Sequence, residues 1–305
     1  MKHAVCLYTD NLRPSGLGEH MLALAAGLRG RYALSFVCPP SPDGLGFMAR
    51  ARAMGIETFG IGLAEEREGA VRLGGWLRSR RVRVFHTHAG NLWEGHDGSV
   101  PAARAAGVPV VVRTEHLPDL TDAPWFEDAP WEHADYEREI ELIDRIVCVS
   151  EEVRTSFVRR SVPAWKFRVV RNGIEPRPAS SDRACILKGL GLPPRARVVL
   201  TVGKLTVRKG YRTLVEALPA VAEREPEAYF AWVGEGALRD ELRGRVRALG
   251  LEERVRLAGY REDVPDLMAA SDLFVLPSLA EAMPLVVLEA MAAGLPVVGT
   301  RVCGT

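Results

Sequence analysis

Two of the chain's five lysines, Lys204 and Lys209, fall in one short stretch, Val202-Gly203-Lys204-Leu205-Thr206-Val207-Arg208-Lys209-Gly210, although the 40 basic residues are otherwise all arginine. Glycines at the end of an apolar run, followed by paired cations, suit a diphosphate. Backbone N–H groups can approach it closely, and each charge-assisted hydrogen bond contributes about 1.5–3 kcal/mol. A solvated basic loop is the alternative. Near the carboxyl end, Glu281 and Glu289 flank Ala282-Met283-Pro284-Leu285 and an apolar run. Pro284 and Gly294 bound an expected helix of about ten residues. Glu289 lies inside that apolar helix and needs a cation, backbone N–H groups or ligand hydroxyls, because an unpartnered carboxylate there is costly. A carboxylate can grip the vicinal hydroxyls of ribose or a hexose in bidentate fashion; a structural salt bridge fits equally.

Two further places carry chemistry-bearing types. The first strand-to-helix turn reads Ser15-Gly16-Leu17-Gly18-Glu19-His20-Met21. Its glycines fit either a tight turn or an anion held at a helix N-terminus. The dinucleotide fingerprint is incomplete, with Met21 in the third glycine's place and no acidic residue after Val37-Cys38-Pro39, so nicotinamide binding is disfavoured. His86 and His88 have the look of a metal pair, but no third ligand is near them in sequence, and the expectation is that they line a cleft without metal.

The elements that must position these residues follow from the apolar pattern. Short runs rich in Val, Ile and Phe (residues 3–8, 33–38, 57–61, 82–86, 109–113, 146–150 and 167–170) alternate with helix-period segments such as 19–28 and 100–106. That alternation predicts βαβ units and parallel sheets. Pro176, Pro178 and Ser180-Ser181-Asp182 mark a break, after which strands at 198–202, 229–233, 255–257, 273–276 and 296–298 restart the pattern. The predicted class is α/β: two doubly wound, Rossmann-like domains, 1–178 and 179–305, facing a central cleft at the carboxyl ends of their strands.

Length and composition agree. The chain has 305 residues, about two domains at roughly 150 residues each. With 47% hydrophobic and 26% charged residues it has the composition of a globular protein rather than a disordered one. No uncharged apolar run reaches the roughly 18 residues of a spanning helix, and the amino terminus turns polar at Asp10. The net charge of +1 is spread over both halves, which argues against a nucleic-acid partner. Five cysteines without a C-x-x-C spacing suggest buried free thiols in a reducing, cytoplasmic setting.

Taken in order, the Gly-rich loop, Thr114-Glu115-His116, Asn172-Gly173-Ile174, Gly203-Lys204-Leu205 through Lys209-Gly210, Val233-Gly234-Glu235-Gly236, Asp272 through Ser278, and Glu281 with Glu289 resemble glycosyltransferase family 4, retaining enzymes of the GT-B fold. The likeness runs from Tyr8 to Thr305. It implies that Gly16 approaches the donor diphosphate and reacting sugar, that His116 lies beside the transferred sugar, and that Lys204 and Lys209 hold the diphosphate. The family usually has arginine at the first of these two; Lys204 keeps the charge without the bidentate fork. Gly259, Tyr260 and Arg261 match the loop beside the base, Glu281 the group on the sugar hydroxyls and Glu289 the group on the ribose. Ala282, Met283 and Leu285 complete the implied donor set, and Pro284, where many relatives have glycine, removes one amide donor. His116, Glu281 and Lys209 are the implied catalytic groups.

The implied reaction moves a sugar from a UDP-, GDP- or ADP-sugar to a glycan, lipid-linked or small-molecule acceptor, with retention. No cofactor is expected. No D-x-D occurs, so metal-independent transfer fits, with cations and a helix N-terminus facing the charge of the departing diphosphate. Two segments bear on the acceptor. Residues 67–83 carry six arginines and Trp76, which suits either a peripheral contact with the inner, anionic membrane face or a solvated helix. Residues 117–141 carry nine acidic side chains with Trp125, Phe126 and Trp131, which suits either an acceptor-side lid or an acidic surface hairpin. Relatives continue beyond the point where this chain stops, so an uncovered sheet edge and lowered stability, or a compensating partner, are expected. A nucleotide-sugar-binding protein without turnover and a GT-B nucleotide-sugar epimerase are the alternative functions.

Overall fold

The computed structural model describes residues 2–12, 16–61, 66–88, 98–119, 139–159 and 162–304, with only the backbone described at 66–67. The chain divides into two compact units at Asn172/Gly173. The Pro-rich segment that follows goes with the second unit for a definable reason. The backbone N–H groups of Ser180 and Ser181 donate to the Asp266 carboxylate, the latter at 2.7 Å.

The first unit runs β1 (Ala4–Tyr8), α1 (Gly16–Leu28), β2 (Ala33–Cys38), α2 (Pro42–Ala53), β3 (Glu57–Gly60), α3 (Glu66–Ser79), β4 (Val84–Thr87), α4 (Ser99–Ala105), β5 (Val110–Glu115), β6 (Arg145–Cys148), α5 (Glu151–Val158) and β7 (Phe167–Val169). Its seven strands lie in the order β3-β2-β1-β4-β5-β6-β7, with every pairing parallel. The order reverses between β1 and β4. Parallel strands are buried on both faces, which is why Cys6, Leu7, Tyr8, Phe36, Val37 and Cys38 are almost wholly enclosed. Side-chain caps start two of the helices: Ser41 accepts from the N–H of Gly44 at 3.0 Å and Ser150 from that of Val153 at 3.3 Å.

The second unit runs α6 (Arg183–Gly189), β8 (Arg197–Val202), α7 (Tyr211–Arg224), β9 (Ala228–Val233), α8 (Arg239–Ala248), β10 (Val255–Gly259), α9 (Val264–Ala269), β11 (Leu273–Leu276), α10 (Leu285–Ala292) and β12 (Val297–Gly299). The sheet order is β10-β9-β8-β11-β12, again all parallel, reversing between β8 and β11. Alternate residues feed opposite faces. Val198, Leu200, Ala231 and Val233 pack with Leu267, Phe274 and Ala290, while Phe230 and Trp232 pack with Tyr211, Leu214 and Leu242 on the other side.

Two expectations change in detail. The helix after Pro284 has eight residues rather than ten, because Pro284 itself is extended (φ −70°, ψ 120°) and stands just outside α10 as its cap. Gly294, at φ +73°, ends it as expected. All five cysteines are free, yet only Cys6, Cys38 and Cys148 are buried; Cys185 and Cys303 are exposed. Burial pushes the Cys38 thiol up to about 12, and those of Cys6 and Cys148 higher still, so none of the three forms a thiolate readily.

Candidate functional site

Open α/β sheets bind ligands outside the carboxyl ends of the strands where their order reverses. In each unit that point is occupied by a cluster of polar side chains.

In the second unit the two strands at the reversal are β8 and β11, and the loops leaving them are the Gly203–Gly210 stretch and Pro277–Pro284. They are locked together through backbone and side chain. Gly210 sits at φ +69°, and a Cβ there would lie 1.8 Å from the carbonyl oxygen of Pro277; Leu279 donates its N–H to the carbonyl of Arg208 at 2.7 Å. Gly234, at φ +139°, comes equally close to Gly203, where a Cβ would be 2.1 Å from the carbonyl oxygen. Only glycine permits these approaches.

That packing brings Lys209 onto Glu281. The ammonium donates to Glu281 Oε1 at 2.5 Å, the Ser278 hydroxyl donates to the same oxygen at 2.7 Å, and Arg208 reaches Oε2 at 3.3 Å and the carbonyl of Ala280 at 3.0 Å. The pair is nearly buried, with side-chain exposures of 12% and 6%. Burial pushes the Glu281 carboxyl upward, but Lys209 and Arg208 outweigh it and hold the group below the usual carboxylate range. Glu281 is therefore an ionised hydrogen-bond acceptor. Arg208 and Ser278 were not singled out in the sequence, although one adjoins Lys209 and the other precedes Glu281 by three residues.

Other residues of the expected donor set are placed differently. Lys204 is exposed on the same loop. Arg261 is engaged by Asp263 through Nε–Oδ1 at 2.7 Å and Nη2–Oδ2 at 2.5 Å, whereas Tyr260, beside Gly259 at the end of β10, is 72% exposed. Ala282 is buried, and Met283 and Leu285 are half-buried at the start of α10. Glu289 finds its cation in Arg177, at 3.9 Å.

In the first unit the reversal lies between β1 and β4. His20 projects from α1 after β1, His88 follows β4, and His116 follows β5. His88 Nδ1 and His116 Nε2 are 3.2 Å apart. The His20 ring meets that of His116 edge-on with centroids 4.8 Å apart, and His86 lies against His88 at 4.1 Å while its Nε2 touches the Thr114 hydroxyl at 2.7 Å. His86 and His88, which have no third histidine near them in sequence, acquire imidazole neighbours in space from α1 and from the residue after β5. Burial pushes His86 down to about 3 and His88 and His116 well below the ordinary histidine value. His20 is lowered for the same reason, with the Asn172 amide opposing. The four rings are neutral near pH 7. Next to them Arg113 bridges Glu115, at 2.8 Å, and Glu139, at 2.9 Å. Gly16 opens α1, and a Cβ there would meet no described atom within 4 Å. The segment with Trp125, Phe126 and Trp131 lies outside the described residues. On α3, Trp76 stacks on Phe59 at 5.3 Å and 7°, and just past its end Arg80 pairs with Glu57 at 2.6 Å; Arg72 and Arg78 on the helix and Arg81 after it are exposed.

Two parallel doubly wound units, each with a polar cluster at its reversal point, define the GT-B class of glycosyltransferase fold. The structure of Anabaena HepE in complex with UDP and glucose matches 99% of this chain and 82% of its own, with a TM-score of 0.82 and 22% identity. That of WaaG, a glycosyltransferase involved in lipopolysaccharide biosynthesis, matches with a TM-score of 0.72 and 21% identity over 99% of this chain and 81% of its own. In sequence, the model of Glycosyltransferase Family 4 matches residues 14–177, more than half of the chain, and that of Glycosyl transferases group 1 matches residues 196–305. The chain belongs to Glycosyltransferase Family 4. A curated relative, the UDP-Gal:alpha-D-GlcNAc-diphosphoundecaprenol alpha-1,3-galactosyltransferase of Escherichia coli, is 29% identical over 271 residues, covering 82% of this chain and 66% of that protein. The lipopolysaccharide core biosynthesis glycosyltransferase LpsE of Rhizobium meliloti is 38% identical over 138 residues, 44% of this chain and 37% of its own. The chain thus spans no more than 66% of the length of either.

Proposed function

We propose that the protein transfers a sugar from a nucleoside-diphosphate sugar to a sugar or lipid-linked acceptor, with retention and without a metal ion on the diphosphate. The observation that carries this reading is the convergence of Lys209, Arg208 and Glu281 at the reversal point of the second sheet. The two cations neutralise charge that develops as the nucleoside diphosphate departs, and they act in a site largely withdrawn from water, where such interactions are strongest. Glu281, kept ionised by the same cations, accepts hydrogen bonds from sugar hydroxyls. His116, kept neutral, offers a lone pair or an N–H to the transferred sugar without repelling an oxocarbenium-like centre. Among the described residues nothing lies within 4 Å of a Cβ at Gly16, and a closely approaching ligand would favour glycine there.

The E. coli and R. meliloti relatives support a lipid-linked or lipopolysaccharide-type acceptor. A cytoplasmic location with contact at the inner membrane face goes with that acceptor, and the exposed Arg72 and Arg78 of α3, with Arg81 just after it, suit an anionic surface. Among the described residues no helix is long and apolar enough to cross a membrane. Cosedimentation with vesicles containing anionic lipid, and its loss when these arginines become glutamine, checks the contact.

The decisive experiment measures nucleotide release from UDP-, GDP- and ADP-sugars with sugar and lipid-linked acceptors, using Glu281→Ala as the control. Acceptor-dependent release, abolished in the variant and not lost on adding chelator, is the expected result; the anomeric configuration of the product, read by proton NMR, checks retention. Measurable donor binding with no release in the presence of any acceptor would leave only a nucleotide-sugar-binding protein.

A further inference from the structure

We propose that His20, His88 and His116 together bind a divalent transition-metal ion of the zinc type. Each ring offers one nitrogen, and the three nitrogens lie within 4.8 Å of one another. The closest pair, His88 Nδ1 and His116 Nε2, is 3.2 Å apart. A tetrahedral zinc ion with bonds of about 2.0–2.1 Å holds neighbouring nitrogens about 3.3–3.4 Å apart, so two ligands already stand at the required spacing. A modest swing of His20 brings in the third.

A hydrogen bond also accounts for the 3.2 Å contact of His88 Nδ1 with His116 Nε2, but it engages only two of the three rings. An ion uses a lone pair from each of the three at once, and His20 is the third within reach. The ligand chemistry selects the ion. Three imidazoles with no carboxylate or thiolate suit Zn²⁺, Cu²⁺ or Ni²⁺ and disfavour Mg²⁺ and Ca²⁺. Access is provided because His20 and His116 are only partly buried, while His88 anchors the site from within. Outer support is present in Asn172 beside His20 and in His86 packed on His88. With three protein ligands the fourth position stays open to water or to a ligand oxygen.

Binding of the ion does not depend on the transferase reading. Its consequence does: an ion held by His116 occupies the ring assigned to the transferred sugar, so zinc acts as an inhibitor that chelator reverses.

The test uses the full chain freed of metal by chelator. Titration with ZnCl₂, followed by calorimetry and elemental analysis, is expected to give one ion per chain, and CoCl₂ is expected to give the intense visible bands of a four- or five-coordinate site. His20→Ala, on a partly exposed helix face, is expected to weaken zinc binding at least tenfold with an unchanged far-ultraviolet spectrum; His116→Ala does the same. A folded wild-type chain that shows no such cobalt bands, or binds zinc equally in both variants, overturns the proposal. These readouts need no turnover, so a failed transfer assay leaves them intact, and their failure leaves the transferase reading standing.

Discussion

The two units share one topology and reverse their strand order in the same way, yet they fill the reversal points with opposite physics. In the second unit the cluster is charged: Lys209 and Arg208 converge on Glu281, and both carboxylate oxygens accept from a cation, one of them also from the Ser278 hydroxyl. In the first unit it is neutral, four imidazoles whose charged forms burial disfavours, and His88 Nε2 has no partner among the described residues. A charged cluster is preorganised for a polyanion, and its members depend on one another. A neutral cluster holds lone pairs and N–H groups ready for a sugar or an ion, and no member of it is the counter-charge of another. Topology sets where a ligand binds; the side chains decide what kind.

The sharpest way to break the comparison is to remove one partner of the charged pair. Lys209→Ala leaves the Glu281 carboxylate buried with only Arg208 and Ser278, and breaking such a pair costs about 3–5 kcal/mol. The variant is expected to unfold at much lower urea concentration and to lose at least a hundredfold in turnover. Lys209→Ala combined with Glu281→Ala recovers most of the stability and none of the turnover. Equal stability in the single and double variants would show that the two residues are not coupled.

His116→Ala gives the complementary result. Mutation of a group positioned for proton transfer or hydrogen bonding costs about 10²–10⁴ in rate, whereas the loss of one neutral hydrogen bond costs about 1 kcal/mol in stability. Turnover falls at least a hundredfold with little change in the urea midpoint. A stability loss as large as that of Lys209→Ala would erase the distinction between the two clusters.

These clusters were unevenly legible in the sequence. The alternation of apolar runs announced both sheets, because parallel strands are buried on both faces and read as unbroken Val- and Ile-rich segments. Lys209 and Glu281 could be singled out since each is an unusual type in its local run. That they meet was not readable, because contact between loops 70 residues apart follows from β8 lying beside β11, and strand order leaves no local signature. Arg208 was camouflaged among the many arginines. The histidines show the same limit more sharply. His86 and His88 were visible as a pair, but His20 and His116 join them only through the placement of β4 between β1 and β5. Glu289, a carboxylate in an apolar run, has a cation beside it in Arg177, which lies in the segment that reads in the sequence only as a Pro-rich break.

That segment supplies a smaller prediction. Asp266 accepts from Ser181 N–H and Ser180 N–H, which hold its carboxyl below the usual aspartate value. A depressed folded-state value means that the stabilisation is complete above the unfolded-state pKa and is lost as pH falls through the folded one, below about pH 4. Asp266→Asn is expected to lower the melting midpoint at pH 7 by less than Lys209→Ala does, and the difference from wild type should shrink as the melts are repeated towards pH 3. A difference that grows on acidification would mean that the carboxylate does not tie this segment down.

Gly16→Ala carries the smallest effect on the fold and the most pointed one on the comparison. The position is the exposed first residue of α1, and a Cβ there meets no described atom within 4 Å. Alanine also favours the helix, so stability should stay within about 0.5 kcal/mol of wild type or rise slightly. If the neutral cluster's neighbourhood receives the donor diphosphate, the added methyl group intrudes on the ligand alone, and turnover falls with a raised KM for the donor while the urea curve is unmoved. Unchanged donor KM would mean that this turn is glycine for no reason of binding, and the first unit's part in the reaction would then rest on its histidines.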